Sequence, residues 1–183
     1  YFLQAVKTRN HYAVELMIKD GVSLQEKNYE QENALMLAAK NEDIWMAHLL
    51  LQYLPKDSDG NSPLHQAALL GQISLVEVLI RAGANMEAKN NSKQTVLHCA
   101  AMKGHIDTVE LLIQYKANIE ANCSFESVDQ IEVTEYVEFC KIKTLQNSAT
   151  PLDLSTPLDL AVSNGHILVL DMLQKAGATF ILV

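Results

Sequence analysis

The chain has 183 residues, 49% of them apolar, enough for one continuous core within single-domain range. Its 14 Lys and Arg against 22 Asp and Glu leave a net charge of -8, which disfavours nucleic acid, whose phosphates are held by cationic side chains, and favours a protein partner with a basic or neutral surface. Three cysteines without framework spacing fit a reducing compartment, cytoplasm or nucleus, and no apolar run approaches the roughly 18 residues needed to insert in a membrane.

One unit recurs. "SPLHQAALLGQISLVEVLIRAGANMEAKN" from Ser62 is followed 33 residues later by "TVLHCAAMKGHIDTVELLIQYKANIEAN" from Thr95, and a period of that size marks a solenoid. In chain order, residues 1–28 form a partial first repeat, because Ala5 and Gly21 lie one period before Ala38 and Leu54. Residues 29–56 form a second, divergent repeat, with Asn33 as helix cap and the small pair Ala38–Ala39. Trp45 in its second helix reads as a core filler rather than an outer-face residue.

Residues 57–89 and 90–123 are the third and fourth repeats. Ser62 and Thr95 supply hydroxyls that accept an orphan backbone N–H, and Pro63 fits the first helical position because its missing donor costs nothing there. The pairs Ala67–Ala68 and Ala100–Ala101 let short first helices approach their neighbours, and Gly71 and Gly104 turn the chain into the second helix. Ile73, Val76, Leu79 and Ile80, then Ile106, Val109, Leu112 and Ile113, have the spacing of a buried stripe. Gly83 suits the left-handed turn just past a helix end.

Two spacings break the period. Asn33 to Ser62 is only 29 residues, because "LPKDSDGN" replaces a longer linker. Thr95 to Thr156 is 61 residues, one period plus an insertion at 124–155, and insertions in repeat proteins fall on one loop face, often the binding face. Within the insertion, Ser127 with Gln130 fits a capping box that starts a helix, whereas "QIEVTEYVEFCKIK" fits an extended hairpin, favoured by its β-branched and aromatic content. "TPLDL" occurs at Thr150 and at Thr156; only the second keeps the cap-to-turn spacing, to Gly165, so residues 156–183 form the fifth repeat.

The period and the T-P-L-H-x-A-like stretches resemble the ankyrin-repeat family over nearly all of the chain outside the insertion. The resemblance implies an all-α ankyrin-repeat solenoid of helix–turn–helix pairs joined by β-hairpin loops, with loops and first helices lining a concave surface. It further implies a non-catalytic module that binds another protein there, without a cofactor, and that is a monomer in isolation. By resemblance the contact positions are the loop tips Ser58, Asp59 and Asn61, then Asn91, Ser92 and Gln94. To these it adds the first-helix ends Leu69, Leu70, Met102, Lys103, Ser163 and Asn164. The corresponding places in repeat two are Tyr29, Glu30, Glu32, Lys40 and Asn41. Leu69, Leu70 and Met102 are the apolar anchors of this set, and Tyr136 and Phe139 are the anchors in the insertion.

Chemistry has weaker support. His65 and His98 stand where the family uses histidine to bond neighbouring repeats, and His105 and His166 follow the turn glycine. Neither a zinc-type pairing of His and Cys nor a phosphate loop is present in the sequence, and His98 and Cys99, adjacent on a helix, point apart. The chain opens on Tyr1 and stops on "TFILV", which reads as a fragment. Two further roles fit: a targeting or regulatory arm of a larger enzyme or channel, and an insertion from Glu126 to Ile142 that folds over the concave face. A microbial effector secreted into a host cell is also compatible.

Overall fold

The computed structural model describes residues 1–123 and 156–178. These contain ten helices in five pairs and no strand: α1 (Phe2–Lys7) with α2 (His11–Lys19), α3 (Ala34–Lys40) with α4 (Ile44–Tyr53), α5 (Pro63–Leu69) with α6 (Ile73–Arg81), α7 (Val96–Lys103) with α8 (Ile106–Gln114), and α9 (Pro157–Ser163) with α10 (Ile167–Lys175). Helices this short are marginal alone and depend on caps and packing.

The caps lie where the residue types place them. Asn33 accepts from the Met36 N–H, and Ser62 and Thr156 each close a reciprocal capping box, with His65 and Asp159 returning the bond. Thr95 does the same with His98. The second "TPLDL" is therefore the helix start.

First helices pack on first helices at three joints: α1 on α3, α5 on α7 and α7 on α9. Second helices stack in a parallel row from α2 to α10. Between the rows runs one core, in which Val6, Val14, Ala38, Met46, Leu50, Ala68, Val76, Leu79, Ala100, Leu112, Ala161 and Leu173 have no exposed surface. The alanines of the first helices are buried in it, so side-chain bulk there would push neighbouring repeats apart.

The joint between repeats two and three differs. There α3 packs chiefly against α6, the second helix of the next repeat. The cause is the clipped linker: four residues fewer between Leu54 and Ser62 shorten the reach by up to about 13 Å, so the third repeat cannot take the usual position.

The loops are tight turns closed at their base rather than strand ladders. The Asn28, Asp57 and Asn90 N–H groups donate to the carbonyls of Glu32, Asn61 and Gln94, and Gln31, Gly60 and Lys93 at the tips have positive φ. The same left-handed conformation recurs between paired helices at Arg9, Glu42, Gly71, Gly104 and Gly165, and after second helices at Gly21, Gly83, Lys116 and Gly177. Lys116 thus holds a strained conformation where its counterparts use glycine, and its side chain is exposed. Lys116→Gly is expected to raise stability by about 0.5–1 kcal/mol, since relief of the left-handed penalty exceeds the entropy glycine adds to the unfolded chain. A denaturant melt checks this; a lower midpoint would show that the lysine stem contributes packing.

Candidate protein-binding surface

Histidines cross every joint. His11 Nε2 meets the buried Asp43 carboxylate at 2.8 Å, and Asp43 also caps α4 through the Met46 N–H. His48 donates to the Ala82 carbonyl at 2.8 Å, His65 to Gln94 at 3.1 Å, His105 to Leu69 at 3.0 Å and His166 to Met102 at 2.9 Å. Carbonyl acceptors assign the proton to the bonding nitrogen in each of these four.

The expected contact residues separate into three groups. Tyr29, Glu30, Lys40, Ser58, Asp59, Leu70, Asn91, Ser92, Lys103, Ser163 and Asn164 are exposed. Leu70, at the end of α5, is 64% exposed, a large apolar side chain facing solvent. Glu32, Asn41, Leu69 and Met102 are half-buried; Leu69 and Met102 accept the His105 and His166 bonds through their carbonyls, and Leu69 also packs against the core.

Asn61 and Gln94, expected at loop tips, are instead 5% and 9% exposed. Asn90 Nδ2 donates to both their side-chain oxygens, at 2.9 and 3.1 Å, and Asn61 Nδ2 donates to Asp57. Their amides tie one loop to the next and are not available to a partner. Tyr136 and Phe139 lie outside the described residues.

Trp45 corrects the expectation of a core filler: it is 78% exposed on the outer face, because Met46, Ala47 and Leu50 are the α4 residues that turn inward. Ile73 is also displaced from its expected stripe, at 37% exposed, while Leu75 and Val78 are buried in its helix.

Loop electrostatics are mostly internal. Lys40 reaches Glu32 and, at 3.5 Å, Glu30; its ammonium beside Glu32 holds that carboxyl below its ordinary range, and Glu32 in turn raises Lys40. Burial alone would raise Asp57, but hydrogen bonds from Asn61, Gln66 and the Asp59 N–H win and lower it. Burial, reinforced by nearby Cys123, pushes the Cys99 thiol up to about 12, so it stays protonated and unreactive at neutral pH. Among the described residues no three His, Cys, Asp or Glu converge as metal ligands, and no helix is long and apolar enough to cross a membrane.

Sequence comparison agrees with this architecture. A family model described as ankyrin repeats (3 copies) matches residues 2–90, 53–123 and 83–181. The chain belongs to the ankyrin-repeat family. It is also similar to a transient receptor potential cation channel subfamily A member 1 homolog of Caenorhabditis elegans, 37% identical over 87 residues, which are 45% of this chain and 7% of that protein. The chain thus spans a small part of this channel relative. Ankyrin repeats are in general protein-interaction modules.

The groove between repeats two and three brings predicted and unpredicted residues together. Glu30, Glu32 and Lys40 line one side of a cavity of about 860 Å³, and Met36, Glu42, Ile73, Glu77 and Arg81, absent from the expected set, line the rest. The signal that marked them was the 29-residue spacing, which displaces a joint rather than a single side chain.

Proposed function

We propose that this ankyrin-repeat domain is a non-catalytic docking module that grips a protein partner through its first-helix ends and loops, with the 124–155 insertion shaping the same surface. The observation that carries the reading is Leu70: a large apolar side chain, exposed at the end of α5, on an element whose backbone is held by bonds to the next repeat. A preformed anchor of this kind loses little entropy on binding. Three cysteines without the spacing of a disulfide framework suit a reducing cytoplasm or nucleus.

A second reading makes the domain a regulatory arm of a larger channel or enzyme. The resemblance to the nematode channel protein favours it, and the full reading frame decides it.

Leu70→Asp combined with Lys103→Glu is expected to weaken capture of partner from cell extract about tenfold or more while shifting stability by no more than about 0.5 kcal/mol, as for other surface changes. A collapse in melting temperature with unchanged capture would place Leu70 among the packing residues and end this reading.

A further inference from the structure

We propose that the joint between repeats two and three is a docking groove for a linear segment of another protein that carries an apolar side chain flanked by lysine or arginine. The inference rests on the docking role above and narrows it to one place and one chemistry.

The groove exists because this joint lacks the interlock of the two joints that follow it. At the next two joints a glycine of one repeat lies directly under a histidine ring of the following one, Gly71 under His105 and Gly104 under His166. Here the glycine place holds Glu42 and the histidine place holds Gln72, so neither ring nor bare backbone closes the seam at this turn, and the ring that does cross the joint, His48, does so at the far end of α6, on the Ala82 carbonyl. The clipped linker adds to the effect by setting α3 against α6. No hydrogen bond joins the 28–32 loop to the 57–61 loop among the described residues, whereas the 57–61 and 90–94 loops are joined by several.

The opening that results has an apolar floor and a charged rim. Met36 and Ile73 show partly exposed apolar surface into a cavity of about 860 Å³, room for several side chains of a peptide. Around it stand four carboxylates, Glu30, Glu32, Glu42 and Glu77, against two cations, Lys40 and Arg81. Lys40 is already committed to Glu30 and Glu32. Glu42 and Glu77 have no ion-pair partner among the described residues. Glu42 moreover keeps a side chain in a left-handed backbone, φ 50°, where Gly71, Gly104 and Gly165 have none. Together with a net chain charge of -8, the rim selects a cationic segment and repels an acidic one. The apolar floor supplies the anchor site that charge alone would lack.

The test is a phage-displayed library of random twelve-residue peptides selected on the full chain, followed by affinities of the winning peptides labelled with fluorescein. Selected sequences are expected to place Lys or Arg within a few residues of Leu, Ile or Met. The pair Glu42→Lys and Glu77→Lys is expected to weaken them at least about tenfold, with an unchanged melting curve, while Glu110→Lys, a reversal of an exposed carboxylate on α8 outside the groove, leaves them within about twofold. Raising the salt concentration is expected to weaken them as well.

Peptides without basic residues, no selected peptide, or affinity indifferent to the charge reversal would each overturn the groove. So would self-association of the chain that the reversal abolishes, which would put a second copy in the seam. Loss on Leu70→Asp but not on the charge reversal would overturn the groove and leave the docking role standing. Failure of the role itself is read separately, from partner capture by the Leu70 variant.

Discussion

Gly104→Ala is expected to cost about 3 kcal/mol of stability, more than most surface-accessible substitutions, because two separate penalties fall on one methyl group. The backbone at Gly104 is left-handed, φ 71°, which costs an L-residue about 1–2 kcal/mol. An added Cβ would also lie 2.5 Å from Nδ1 of His166, so the ring must swing away. That movement breaks the bond from His166 to the Met102 carbonyl and leaves a half-buried acceptor unsatisfied, about a further 1–2 kcal/mol.

The two penalties separate in a double-mutant cycle. His166→Ala alone loses the bond, at about 1–2 kcal/mol, and in that background Gly104→Ala should cost only the backbone strain. The double variant is then expected near the stability of Gly104→Ala itself, a coupling of about 1–2 kcal/mol. Gly83→Ala is the control. Its φ of 89° is equally left-handed, but its Cβ would meet nothing within 4 Å, so it should show strain without coupling to any histidine. Additive losses at Gly104 and His166 would mean that the ring does not rest on the glycine.

This seam shows what kind of information the sequence carries. Caps at Asn33, Ser62, Thr95 and Thr156 were legible because each is a local hydrogen bond between residues three apart, independent of what packs on the helix. The choice between the two "TPLDL" copies was legible for the same reason. Trp45 was not. The α4 sequence "IWMAHLLLQY" is apolar nearly all round, so its periodicity has no phase, and size alone pointed the indole the wrong way.

Ile73 was misread for a different reason. It opens α6, and its counterpart Ile167, which opens α10, is 45% exposed, so the first residue of a second helix stands at the edge of the stripe while Val76 and Leu79 further in are buried. Asn61 and Gln94 show a third limit. Transfer by resemblance places them at loop tips, yet the Asn90 amide donates to Asn61 in the neighbouring loop and to Gln94 in its own. Polar residues in a turn say that hydrogen bonds will be made, and only the stacked loops say with whom.

His65 sets the second large effect, a contribution to acid lability from a buried ring. It has no exposed surface. Its Nδ1 accepts from the Ser62 N–H, and its Nε2 donates to Gln94, so the neutral ring satisfies the end of one helix and the loop of the next repeat. Protonation would set the accepting nitrogen against the Ser62 N–H and force the Ser62 hydroxyl, 2.7 Å away, to turn and accept, and burial, the largest influence, lowers the ring's pKa below 6.5 despite the opposing hydrogen bonds. With the folded pKa depressed, the unfolded chain binds more protons below 6.5, so this stability is intact above that pH and is lost as the pH falls. One proton limits the slope to about 1.4 kcal/mol per pH unit.

Asp57 and Glu32, held below 3.8 and 4.5, have the same sign but act in lower windows, so the part of the loss between pH 6.5 and about 4.5 that His65→Leu removes reports His65. His65→Leu is expected to cost about 3 kcal/mol at pH 7, because the Ser62 N–H and the Gln94 carbonyl are both orphaned. The same variant should lose less on acidification, so that the two stability curves converge toward pH 5. Urea melts across that range measure both. Parallel curves would show that the ring stays neutral in the unfolded chain as well, or that another group carries the slope, and would remove His65 as the source of acid sensitivity.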